Sequence, residues 1–166
     1  MSNDPVVEAL PSLSLRPMTD DDLREVLRIE RLVHAAPWTL ENLRTELEKP
    51  YARCLVLTDD ETDELVAGYI VYWIMFEECH VLNVAVDLPF QRRGLARQMV
   101  RKAADEALKK NIHKVLLDVR KSNEAAVALY QSLGFVVTHV RKGFYSDGED
   151  AYQMALFMEE KDAIDF

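Results

Sequence analysis

The sequence predicts one α/β domain, a mixed sheet with helices on its faces. Three observations point there. The chain has 166 residues, enough for one domain and too few for two. Apolar residues make up 49% and charged ones 30%, so a real core can be buried. Stretches with an apolar stripe of helical period alternate with short runs rich in Val, Ile and Leu. Their order is strand, two helices, three strands, helix, strand, helix, two strands.

Residues 1–12 carry Pro5 and Pro11 without a sustained period and read as a loose leader. Residues 13–16 form a strand ending at Pro17. Thr19 followed by Asp20, Asp21 and Asp22 is a cap with acids in the first turn. Leu23, Val26, Leu27, Ile29, Leu32 and Val33 give that helix its apolar stripe, and Pro37 ends it. Thr39 caps a second helix with Leu40, Leu43 and Leu47 inward, closed by Pro50. Residues 52–58 and 65–75 flank a turn of Asp, Glu and Thr and predict a hairpin. Residues 80–87 are a Val-rich run ended by Pro89. From Gly94 to Lys110 the period is helical, with Leu95, Met99, Val100, Ala103, Ala104, Ala107 and Leu108 on one face. Residues 114–119 form a strand. Asn123 caps a helix with Ala126, Val127, Tyr130 and Leu133 inward, and Gly134 stops it. Residues 135–140 and 151–158 are the last strands, around the polar loop SDGED. The domain thus spans 13–158, and residues 159–166 read as an acidic tail.

Lys plus Arg number 20 against 29 Asp plus Glu, a formal charge of −9. This argues against direct nucleic-acid binding and is compatible with a basic partner. Cys54 and Cys79 lack metal or redox spacing, which suits a reducing compartment. The longest apolar run, 69–76, is too short to cross a bilayer, and the start has no signal-peptide pattern. A cytoplasmic chain without membrane contact is expected. The four histidines show no ligand spacing, so no metal is expected. Glu77-Glu78-Cys79-His80 reads as the surface of a strand start.

The most informative segment is Gln91-Arg92-Arg93-Gly94-Leu95-Ala96-Arg97, where a strand hands over to a helix. A helix N-terminus already carries about half a positive charge. Yet from Gln91 to Lys102 there are five basic residues and no acid. Such a turn repels itself unless an anion sits in it. The free N–H groups there are donors to phosphate oxygens, and Gly94 lets the backbone approach.

This segment, with LNVAVDLPFQRRGLA, LDVRKSNEAAVALYQSLGF and FYSDGEDAYQM in the same order, resembles the GNAT N-acetyltransferases over 13–158. Within that family it is most similar to the branch that acetylates protein N-termini. His34-Ala35-Ala36-Pro37-Trp38 resembles the bacterial ribosomal-protein-alanine type. The segment from Tyr145 to Tyr152 is equally similar to archaeal and eukaryotic catalytic subunits. The resemblance implies a GNAT fold: a mostly antiparallel sheet splayed between two parallel central strands, with helices on both faces. It implies acetyl-CoA as donor. The implied acceptor is a protein N-terminal amine, above all the N-terminal alanine of a small-subunit ribosomal protein. The chain is then expected to be a monomer or weak dimer.

On individual residues, the resemblance implies that Val84, Ala85 and Val86 bond the pantetheine arm through their backbone. Arg92, Arg93, Gly94, Leu95, Ala96 and Arg97 hold the pyrophosphate. Asn123 contacts the arm, a role compatible with capping. Tyr130, by periodicity a core aromatic, becomes the general acid toward the leaving thiolate. Asp118 stands where bacterial relatives carry glutamate, and becomes the base, directly or through water. As an alternative, its carboxyl is satisfied by Arg120, Lys121 or nearby backbone. Trp38, Phe144 and Tyr145 flank the acceptor peptide. Glu77, Glu78, Glu149 and Asp150 either attract a basic peptide or only solubilise the surface.

A weak base suffices for an α-amine. With a pKa near 7.7, about one in six is neutral at pH 7, against about one in 2,500 for a lysine side chain. Direct attack is expected rather than an acyl-enzyme, since neither cysteine falls in a catalytic motif. Two other readings stay open: a small-amine acceptor such as a polyamine or aminoglycoside, and a non-catalytic acyl-CoA-binding module.

Overall fold

The computed structural model describes residues 11–159, so residues 1–10 of the expected leader (1–12) and residues 160–166 of the expected tail (159–166) lie outside the described residues. Seven strands form one sheet: β1 (Leu13–Pro17), β2 (Ala52–Asp59), β3 (Val66–Met75), β4 (Glu78–Val86), β5 (Lys114–Arg120), β6 (Val136–Arg141) and β7 (Ala151–Phe157). Their spatial order is β1-β2-β3-β4-β5-β7-β6. Four helices flank it: α1 (Leu23–Val33), α2 (Leu40–Glu48), α3 (Leu95–Lys109) and α4 (Glu124–Ser132). This is the mixed, mostly antiparallel architecture expected.

Local chemistry sets the boundaries. The helix expected after Thr19 begins with a 3-10 turn at Asp20–Asp22, and α1 proper starts at Leu23. Asp22 draws the chain inward there. Its carboxyl accepts from the Thr19 amide at 2.8 Å and from Arg16 Nη1 at 2.7 Å. The helix ends at Val33, before Pro37, because the chain folds back to deliver the Trp38 amide to Glu30 Oε1 at 2.8 Å. Thr39 caps α2 as expected, accepting from the Asn42 amide at 3.2 Å. Asn123 caps α4, and Gly134 at φ 98° ends it in the left-handed region.

Among the described residues only β4 and β5 run parallel, and they pair over three residues each, Cys79 to Val81 against Val115 to Leu117. Just beyond, β4 bulges. Tyr72 of β3 faces Val81 but Val71 faces Asn83, so Leu82 is the extra residue. From there β4 continues along β3 while β5 continues along β7, and a gap opens between them. The splay implied by the family resemblance is thus present. Gly68 on β3 permits the close crossing, since a Cβ there would lie 2.6 Å from the Ala85 carbonyl oxygen.

Each sheet face has its own core. Met99, Val100, Ala103 and Ala107 of α3 with Tyr130 of α4 pack on Val115, Leu117 and Phe135. On the other face Val26 and Ile29 of α1 with Leu43 of α2 pack on Val56, Tyr69 and Val71. No helix among the described residues is long and apolar enough to cross a membrane.

Candidate active site

The gap between β4 and β5 opens into a cleft of about 790 Å³ that both sheet faces line. On the α3/α4 side lies the basic turn. Asp87 ends β4 and receives Arg28 Nη2 of α1 at 2.7 Å. Gln91 Nε2 donates to the Val86 carbonyl at 3.0 Å and folds the loop against the strand end. Arg92 (φ 64°) and Gly94 (φ 76°) both adopt left-handed backbone, which turns the chain sharply into α3. The first helical bond runs from the Gln98 amide to the Gly94 oxygen at 3.1 Å. The amides of Leu95, Ala96 and Arg97 therefore have no carbonyl a turn earlier, and no side chain caps them. Arg92, Gly94, Leu95, Ala96 and Arg97 line the cleft, and Arg97 is steadied by Ser132 Oγ. Arg93 departs from the expectation. It is not on the lining, and its guanidinium lies 6.0 Å from the Phe90 ring centre.

Val84, Ala85 and Val86 line the same cleft, on the stretch of β4 that no longer pairs with β5. Asn123 lines it too while its Oδ1 caps α4 at 3.2 Å from the Ala126 amide. Tyr130 packs against Phe135 with ring centres 5.7 Å apart. Burial, and then the neighbouring Tyr145, push its phenol up to about 12. Its hydroxyl has no hydrogen-bond partner among the described residues, and the side chain borders the cleft. A proton-bearing group is thus held at the gap. Free amides, two lining arginines and an unpaired strand edge fit a pyrophosphate on an extended arm.

On the other side the polar groups come from scattered elements. Asp118 sits one residue past the last β4–β5 pair. Its Oδ2 lies 3.8 Å from His80 Nε2 and its Oδ1 lies 3.3 Å from Arg141 Nε. Oδ1 is nevertheless covered and unbonded, because Arg141 is close without being aligned. Arg120 and Lys121, expected as partners, do not pair with Asp118. Arg120 instead bonds Asp147 and Glu149, each at 2.8 Å. His80 corrects the reading of its segment as strand surface. It is half-buried beside Asp118, its ring against Trp73 at 6.4 Å, while Cys79 is fully buried on the opposite face.

Trp38 and Tyr145 both belong to the lining. Phe144 does not reach it. It stands edge-on to Tyr145 at 5.1 Å, under Arg141. Arg120 lies 4.1 Å over the Tyr145 ring. The β6–β7 loop is clasped from within. Glu149 accepts from Arg120 and the Ser122 amide, and Asp150 accepts from the Gly143 amide at 2.9 Å. Hydrogen bonds from Ser122 and Arg120 hold Glu149 below the usual carboxylate range. These two acids are engaged in holding the loop; Glu78 pairs with Lys114 at the far end of β4.

Sequence reasoning missed a buried cluster. Glu30 is 1% exposed and accepts from Tyr69 Oη, from Asn83 Nδ2 at 2.9 Å and from the Trp38 amide at 2.8 Å. A signal existed: Glu30 follows Val26 by four and Leu27 by three, so an acid stands inside the apolar stripe of α1. Both thiols lie away from the cleft, and burial pushes Cys54 up to about 11 and Cys79 up to about 12. Neither is an available nucleophile. Among the described residues no three His, Cys, Asp or Glu side chains group to hold a metal.

Fold, splayed gap and basic turn together define an acetyltransferase scaffold, and residues 21–135 match the Acetyltransferase (GNAT) family. The chain belongs to that family. It is 34% identical over 142 residues to the [ribosomal protein bS18]-alanine N-acetyltransferase of Salmonella typhimurium, covering 84% of this chain and 93% of that one. It is 31% identical to an N-alpha-acetyltransferase of Saccharolobus solfataricus, over 86% of this chain and 91% of that one. The crystal structure of the Escherichia coli ribosomal-protein-S18-alanine N-acetyltransferase superposes with a TM-score of 0.79 at 32% identity, over 89% and 95% of the two chains.

Proposed function

We propose that the chain transfers an acetyl group from acetyl-CoA to a protein N-terminal α-amine, with the N-terminal alanine of ribosomal protein bS18 as acceptor. One observation carries this reading. A single cleft joins the basic turn and Tyr130 on one sheet face to Asp118, Trp38 and Tyr145 on the other, through the β4–β5 gap. The bS18-alanine relatives supply the acceptor, since the chain aligns along 93% of the one from Salmonella typhimurium.

Acetyl-CoA supplies an activated thioester. The amides of Leu95, Ala96 and Arg97, with Arg92 and Arg97, grip its pyrophosphate. The unpaired edge of β4 at Val84, Ala85 and Val86 holds the arm and offers an N–H to the carbonyl oxygen as charge grows on it. Asn123 borders the same arm. Arg93, off the lining, contributes charge rather than contact.

The acceptor enters between Trp38 and Tyr145. Asp118, with its unbonded Oδ1, takes the amine proton directly or through a water, and His80 at 3.8 Å stands next in line toward solvent. Tyr130 donates a hydrogen bond to the departing sulfur. Its phenol at about 12 lies above an ordinary thiol near 8.5. It therefore stabilises the thiolate mainly as a donor, and complete transfer of its proton is the minor contribution. Attack is direct, because neither cysteine reaches the cleft.

The test mixes the protein with acetyl-CoA and short peptides that differ in their first residue, including the bS18 N-terminal peptide. One control has a blocked N-terminus and a free lysine. Thiol release with acetylation at the α-amine, fastest for an alanine-first peptide, is expected. Modification of the lysine control or of a polyamine alone would reassign the acceptor. CoA binding without thiol release on any amine would remove the transferase reading.

A further inference from the structure

The Glu30 cluster serves no step of the transfer, yet it lines the cleft on the acceptor side with Asn83, His34 and Trp38. Its bonds go to two separate walls. Asn83 is the first residue after the β4 bulge, the feature that opens the gap. Trp38 lies on the loop from α1 to α2, which forms another wall of the cleft. Tyr69 Oη donates to the same carboxyl from the centre of the sheet. His34 Nε2, buried and unbonded, lies 3.7 Å away. One carboxyl therefore ties the bulge, the sheet centre and the loop that carries Trp38.

Two comparable clusters sharpen the contrast. Tyr72 Oη donates to Glu106 of α3, and Trp73 Nε1 donates to Glu46 of α2 at 2.7 Å. Neither acid lines the cleft, and these bonds hold helices to the sheet. The Glu30 cluster alone among the three spans the two edges of the opening.

We infer that Glu30 is a positioning residue that fixes the spacing between the Trp38 wall and the β4 bulge, and so sets which first side chain the acceptor can bring into the cleft. This rests on the acceptor reading above. With the wall tied at 2.8 Å, a small first residue fits and a larger one is held off the gap. Untied, the wall yields and the discrimination narrows.

The test compares Glu30→Gln and Tyr69→Phe with Tyr72→Phe, which removes a like bond away from the cleft. In Glu30→Gln an amide NH2 faces donors that need an acceptor. We expect the peptide KM to rise about tenfold, with the acetyl-CoA KM held within about twofold. The preference for an alanine-first over a leucine-first peptide should narrow by about fivefold. Tyr69→Phe should move the same quantities less. Tyr72→Phe should lower the melting temperature and leave both KM values and the preference alone. Hydrogen exchange at the Trp38 amide should speed up in Glu30→Gln, a readout that needs no turnover. Equal loss on all peptides, as from a destabilised fold, would overturn the inference, and so would unchanged Trp38 exchange. A wild type that acetylates no α-amine would instead overturn the acceptor reading, and exchange at Trp38 would still judge Glu30.

Discussion

The two sides of the β4–β5 gap are built on opposite plans. On the α3/α4 side the groups suited to an anion lie in one short run, from Arg92 to Arg97, and act largely through backbone. Their placement follows from two left-handed residues and a helix start. On the α1/α2 side, Glu30, Trp38, His80, Asn83, Asp118, Arg141 and Tyr145 come from widely separated parts of the chain and act through side chains. A nucleotide arm is the same for every donor molecule, so a local motif can serve it. An acceptor differs from enzyme to enzyme, and its site is assembled by tertiary packing. Substitutions on the two sides should accordingly separate into effects on one substrate or the other.

The largest effect is expected where the two sides meet. Tyr130→Phe keeps the ring against Phe135 and removes only the hydroxyl. kcat should fall about 100-fold or more while both KM values stay near wild type. The pH profile gives a second check. Because the phenol is pushed up to about 12, it keeps its proton at every working pH. The wild-type rate should therefore rise as the acceptor amine is freed and show no decline up to about pH 10 from loss of this proton. A descending limb near pH 9 that vanished in Tyr130→Phe would show the phenol titrating far lower, and would break its assignment as a donor.

The same contrast explains what the sequence allowed. The basic turn is legible because three arginines, Arg92, Arg93 and Arg97, before or within the first turn of a helix are electrostatically wrong without an anion, and that contradiction is local. The helix caps at Thr39 and Asn123 were legible for the same reason. For the cluster around Glu30 the sequence shows only an acid inside the apolar stripe of α1; its partners are not legible, because the bonds to Tyr69 and Asn83 join residues 39 and 53 positions apart. Alternation along β4 does not place His80, because it carries no information about the neighbouring strand. Only the parallel pairing with β5 brings it to Asp118. For the acids of the SDGED loop the sequence leaves two readings, a lure for a cationic peptide or a solubilising surface, and in the fold Arg120, Lys142 and nearby amides engage Glu149 and Asp150. Charge in a sequence does not say whether it is spent internally.

On the acceptor side, Asp118→Asn is the next largest change. It keeps the shape of the side chain and removes its capacity to take a proton. kcat should fall about 30-fold near pH 7, with the acetyl-CoA KM unaffected. The deficit should shrink as pH rises through about 7.7, because the α-amine then sheds its own proton and needs the base less. Rate against pH for both proteins, on one α-amine peptide, reads this directly. A deficit constant from pH 6 to 9 would mean that Asp118 orients the acceptor or His80 rather than taking the proton.

The smallest of the three effects belongs to the donor side. Arg92→Ala with Arg97→Ala removes the two arginines of the basic turn that line the cleft and leaves the amides of Leu95, Ala96 and Arg97 at the helix start. The amides should retain most of the grip, since they are fixed by backbone and lose no side-chain entropy on binding. The acetyl-CoA KM should therefore rise only about tenfold, and kcat and the peptide KM should hold. Salt should matter less to the variant than to the wild type, because screening acts on the charges that were removed. A loss far above tenfold would mean that side-chain charge, not helix-start backbone, does the holding. The donor side would then resemble the acceptor side in construction, and the division between a local motif and a dispersed site would fail.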